Sequence, residues 1–135
     1  GEEQFKKYRR SWDIAPPAMP ENDNNHSLFS PLNSSIPIGM IPFTESLKDT
    51  YDRVITFYEK EIKKQIHENK NVLISAHGNS LRALCKYLFK ISDQKITELE
   101  IPTGNPLIVE FDTDFIIKKY YYLDESRSKT IIFNQ

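Results

Sequence analysis

Two short clusters in this sequence carry side chains suited to handling an anion. The first is His77-Gly78-Asn79-Ser80, which separates the apolar run Val72-Leu73-Ile74-Ser75-Ala76 from a helical pattern at Leu81, Leu84, Cys85 and Leu88. In open α/β sheets ligands gather beyond the carboxyl ends of strands, where the free N–H groups of a following helix favour negative charge. His77 would bring a transferable proton or a positive charge to that place, and Asn79 both a donor and an acceptor. Gly78 would let a bound group approach the backbone. The plainer alternative is a histidine that satisfies a nearby carbonyl, beside a glycine that serves only the turn. The second cluster is Arg9-Arg10, whose forked donors match carboxylate or phosphate and could hold a compact dianion. Its alternative is a solvated helix end, which is also how Lys6 and Lys7 read.

Other reactive side chains offer less. Cys85 lies on the apolar face of its helical pattern and reads as core rather than nucleophile. His26 and His67 read as surface, and Tyr120 to Tyr122 as strand packing. With three histidines and one cysteine there is no metal-ligand spacing, and no glycine-rich nucleotide loop or Gly-x-Ser-x-Gly elbow occurs. A net charge of −1 gives no general field for nucleic acid or an anionic membrane. The 135 residues contain neither a membrane-length apolar stretch nor an apolar signal core, so a cytoplasmic protein is expected.

The elements that must hold these clusters can be read from periodicity. Residues 2–10 suggest a helix tail with Phe5, Tyr8 and Trp12 along one side. Six of the eight prolines then fall between Pro16 and Pro42, so residues 16–43 read as a long loop rich in Pro, Asn and Ser. From a plausible N-cap at Thr44, Leu47, Tyr51, Val54, Ile55, Tyr58, Ile62 and Ile66 recur at helical spacing, and Asn69 to Asn71 end the helix. Val72 to Ala76 reads as a strand buried on both faces, and Asn79 or Ser80 as the cap of the next helix. Prolines and glycine exclude regular structure from Ile101 to Pro106. Leu107 to Phe111 and Phe115 to Leu123 read as an antiparallel pair joined by Asp112-Thr113-Asp114. The tail, residues 124–135, has no usable period, although Ile131-Ile132-Phe133 is apolar enough to dock. This order of helices and strands predicts an α/β layer architecture.

Four blocks, GEEQFKKYRRSWDIAPP, FTESLKDTYDRVITFYEKEI, VLISAHGNSLRALCKYL and ELEIPTGNPLIVEFD, together resemble the 2,3-bisphosphoglycerate-dependent phosphoglycerate mutases of the histidine phosphatase superfamily. The resemblance covers roughly residues 1–19 and 42–123. It implies a three-layer sandwich with a mainly parallel sheet. It also implies interconversion of 3-phosphoglycerate and 2-phosphoglycerate in glycolysis and gluconeogenesis through a phosphohistidine, with 2,3-bisphosphoglycerate as phosphoryl donor and no metal. By this resemblance His77 is the second, catalytic histidine, which steadies the phosphoryl group in transfer. Arg9 and Arg10 grip the substrate's anionic groups, Gly78 and Asn79 line the same substrate pocket, and Ser11 and Trp12 occupy the small and aromatic positions that follow. The implied partners are small phosphoglycerates, with neither nucleic acid nor membrane, and a homo-oligomer through the full-length protein is allowed.

The departures from the family pattern shape the rest of the expectation. The Arg-His-Gly motif that carries the nucleophile in this family is not found, nor are a further phosphate-binding arginine and the acid–base glutamate. Residues 20–41 also differ from the usual charged and aromatic connection. Residues 1–135 are therefore expected to be the carboxyl-terminal portion of a single mutase-like domain, inactive alone and lacking the central nucleophile-bearing strand. With that strand gone, the fragment is not expected to keep the native fold. A phosphatase of the same superfamily and a non-catalytic module that binds a phosphorylated acid are the alternatives.

Overall fold

The computed structural model describes residues 1–9, 11–20, 23, 30, 31 and 34–128, with Ile38 by its backbone alone. Helix α1 (Glu2–Arg9) starts with Glu2 and Glu3 and ends with Lys6, Lys7 and Arg9, charges that complement the helix dipole. None of its residues is buried, and Phe5 is largely exposed. Trp12 lies beyond the helix and turns inward, its ring edge-on to Tyr51 at 5.5 Å, while its carbonyl accepts the Lys48 N–H at 2.9 Å. The expected aromatic stripe is thus split, because only Trp12 reaches the core.

Helix α2 (Leu47–Phe57) is capped by Ser46, two residues beyond the expected Thr44. The reason is a reciprocal box: the Ser46 hydroxyl accepts the Asp49 N–H at 3.2 Å, and Asp49 Oδ2 accepts the Ser46 N–H at 2.9 Å. Thr44 instead donates its hydroxyl to the Pro16 carbonyl, tying the loop to the helix start. Beyond Phe57 the chain widens into a π-helical turn (Tyr58–Ile62) and continues as α3 (Lys63–His67). Asn69, at a φ of +57°, follows the helix end, in keeping with the tolerance of asparagine for the left-handed region.

Helix α4 (Gly78–Leu88) begins earlier than expected, with His77 at its N-cap rather than Asn79 or Ser80. It packs against α2. Ala83 and Cys85 from α4 join Leu47 from α2, with Ile91, Ile96 and Leu99 from the connection that follows, in one buried cluster. Strands β1 (Leu107–Phe111) and β2 (Ile117–Tyr122) pair antiparallel, as expected, with Val109 opposite Tyr120. Their connection is longer than Asp112-Thr113-Asp114. Asp112 Oδ1 accepts the N–H groups of both Asp114 and Ile116 at 2.9 Å, and Phe115 takes a φ of +60°. Phe89 and Tyr120, edge to face at 4.9 Å, join the hairpin to the end of α4.

The run from Val72 to Ala76 departs most from expectation. It joins no sheet among the described residues and is exposed along its length, with Leu73 at 89%. A strand exists only through its ladder with a neighbour, and the two-stranded sheet described supplies none at this place. The mixture of helices and strands is consistent with part of an α/β fold. The three-layer sandwich and its mainly parallel sheet are not seen among the described residues. Ile131-Ile132-Phe133 lie outside those residues, as do most of residues 21–33. No described helix is long and apolar enough to cross a membrane.

Candidate functional site

A groove of about 570 Å³ opens where α1, the start of α2 and the amino end of α4 converge. Arg9, Gly78 and Asn79, which the sequence singles out, all line it, although Arg9 is separated from Gly78 by most of the loop and α2. Arg10 lies outside the described residues. His77 is exposed at the lip, next to Gly78 but not among the lining residues. Its carbonyl accepts the Leu81 N–H at 3.0 Å, so the residue starts the helix through its backbone, while its ring makes no capping bond. The ring is therefore not spent on the helix end.

The first-turn N–H groups of α4 lack carbonyl partners within the helix, and the helix is long enough for its dipole to make that end mildly positive. Arg9 from α1 and Arg82 from α4 add two cations to the groove wall. Glu45 and Glu100 oppose them. Glu45 is held by a forked pair with Arg53, whose outer nitrogen meets Oε2 at 3.0 Å. That bond keeps the Arg53 guanidinium above its ordinary range. Phe5 and Tyr8 of α1 also line it, and Leu99 and Ile101 bring apolar surface from the core side.

Arg82 is the groove residue that the sequence does not single out. It lies three positions after Asn79, a spacing that places the two side chains on one face of a helix. Recognising it needed the helix to start at Gly78. Cys85 is in the core, as expected, and burial pushes its thiol up to about 12, so it is an inert thiol at neutral pH. No cluster of three His, Cys, Asp or Glu side chains suited to a metal occurs among the described residues.

The chain belongs to the histidine phosphatase superfamily (branch 1), whose family model matches residues 18–121. His77, Gly78 and Asn79 fall inside that match, and Arg9 and Arg10 precede it. At closer range the chain is similar to the 2,3-bisphosphoglycerate-dependent phosphoglycerate mutase of Pelagibacter ubique, 53% identical over 132 residues, which cover 98% of this chain and 56% of that protein. The mutases of the same name from Treponema denticola and Borreliella burgdorferi are 48% and 45% identical over 94% and 96% of the chain, and 52% of each relative is covered. The chain spans about half the length of the curated relatives it matches.

Proposed function

We propose that this chain is the carboxyl-terminal portion of a cytoplasmic phosphoglycerate mutase that interconverts 3-phosphoglycerate and 2-phosphoglycerate through a phosphohistidine. The observation that carries the reading is the convergence of Arg9, Gly78 and Asn79 on one donor-rich groove at the amino end of α4, in a chain similar throughout to enzymes of that name. The lining suits a phosphorylated acid: the Arg9 guanidinium, the amino end of α4 and the Asn79 amide line it, and Glu45 is tied to Arg53. These groups also suit 2,3-bisphosphoglycerate, which in such an enzyme supplies the phosphoryl group.

In this reading Arg9 and Arg10 clamp the carboxylate and phosphate of the substrate and fix its orientation. Gly78 and Asn79 meet the same anion at the helix end. His77 stands at the lip and donates a hydrogen bond to the phosphoryl oxygens as charge develops on them, an electrostatic role rather than a nucleophilic one. The nucleophile comes from a part of the enzyme outside this sequence, so residues 1–135 alone form half a site.

The test is a steady-state assay with 3-phosphoglycerate and 2,3-bisphosphoglycerate. In the full-length protein, His77→Ala is expected to lower turnover by about 10²–10³-fold with little change in the Michaelis constant. The chain 1–135 should show no turnover above background. Turnover by that chain that disappears in His77→Ala would overturn the half-site reading. Release of inorganic phosphate without 2-phosphoglycerate would assign the full-length protein to the phosphatases.

A further inference from the structure

Asn79 is exposed on the first turn of α4, and an asparagine in that position can present either end of its amide to a ligand. The Arg82 guanidinium removes this freedom. One terminal nitrogen donates to Asn79 Oδ1 at 3.2 Å, and the other donates to the Ile96 carbonyl at 2.7 Å. Ile96 is fully buried in the 3-10 turn Lys95–Thr97, so the fork is anchored on the core. Arginine has only donors, so the end of the amide that meets it must be the oxygen.

From this geometry we infer that Arg82 is a positioning residue: it holds Oδ1 of Asn79 to itself and leaves the Nδ2 hydrogens for an anionic ligand in the groove. A freely turning amide would offer its carbonyl oxygen to the same ligand in part of the population, and that oxygen repels a phosphate or carboxylate. A planar guanidinium spans both acceptors at once, whereas a lysine ammonium would keep the charge but lose the fork. The ligand class, a phosphorylated acid, rests on the mutase reading above. The orientation of the amide does not.

The experiment is a double-mutant cycle in the full-length protein, read by the Michaelis constant for 3-phosphoglycerate and, independently of turnover, by calorimetric affinity for inorganic phosphate. Arg82→Lys is expected to weaken both by about five- to tenfold in the wild-type background. In an Asn79→Ala background the same change should matter less than twofold, because Arg82 acts through the amide. A structural role would give equal losses in both backgrounds, and that result overturns the proposal. Asn79→Asp, which changes no shape and keeps a partner for Arg82, should weaken phosphate more than Asn79→Ala does; equal or tighter binding would also overturn it. If phosphate shows the coupling but 3-phosphoglycerate is not a substrate, the mutase reading fails and the role of Arg82 stands.

Discussion

On one side of His77 the run Val72 to Ala76 lies open, with Leu73 89% exposed; on the other, Ala83 and Cys85 are 0% and 6% exposed against α2. Both segments are short and apolar, and the sequence reads both as core. They differ in how their backbones are satisfied. A helix closes its own hydrogen bonds and needs only one apolar face covered, which α2 and the turn at Ile96 supply. A strand must borrow both its hydrogen bonds and its cover from neighbours. The helical half is thus closed by segments of this chain, whereas the run Val72 to Ala76 has no such cover among the described residues.

The comparison breaks first if the helical half is not self-sufficient. Although the chain 1–135 is not expected to keep the native sheet, its helical core is closed by its own residues. Leu99, 1% exposed, closes that core beneath the groove, so Leu99→Ala should cost about 2–5 kcal/mol in urea denaturation of both the chain 1–135 and the full-length protein. A chain 1–135 with no cooperative transition would show that α2 and α4 need further chain to fold, as is proposed for Val72 to Ala76.

Leu73 sharpens the contrast. In the chain 1–135, Leu73→Ala should change stability by no more than about 0.5 kcal/mol, because the side chain is in water already. In the full-length protein, where the proposed missing portion would cover this run, the same change should cost about 2–4 kcal/mol. Equal small effects in both proteins would mean that the run stays open.

The smallest expected effect separates capping from packing. Ser46→Ala removes the hydroxyl from the box at the start of α2 and should cost about 1 kcal/mol in either protein. The Ser46 hydroxyl, and then its N–H, hold the Asp49 carboxyl below its ordinary value of 3.8. The carboxyl's stabilising contribution is present above that value and lost as pH falls through the lower folded one. Stability of the Ser46→Ala protein should therefore depend less on acid below about pH 4 than that of the wild type, measured by denaturation across that range. An unchanged acid limb would move the origin of the Asp49 shift away from the cap.

Much of the candidate site was legible because its signals are local. The periodicity of Leu47 to Ile66, the apolar face of α4, the hairpin of β1 and β2, and the placement of Cys85 in the core follow from side-chain spacing alone. Arg9, Gly78 and Asn79 were singled out by the chemistry they carry, but a solvated helix end, a turn and a cap use the same residue types, so spacing alone left those alternatives open. The cap positions were missed by two or three residues, since Ser46 and Thr44 are equally able to cap and only the reach of Asp49 decides between them.

What the sequence by itself determined is therefore what each short segment can do with its own backbone: helix, turn or paired strand, and the chemistry its side chains carry. Tertiary structure alone decided which segments meet. It brought Arg9 across the loop to Gly78 and Asn79, tied Arg82 to the carbonyl of Ile96, and, among the described residues, left Val72 to Ala76 without a ladder. The physical reason is that a helix face or a turn is fixed by interactions within a few residues, whereas a groove wall or a sheet position exists only through partners distant in the chain.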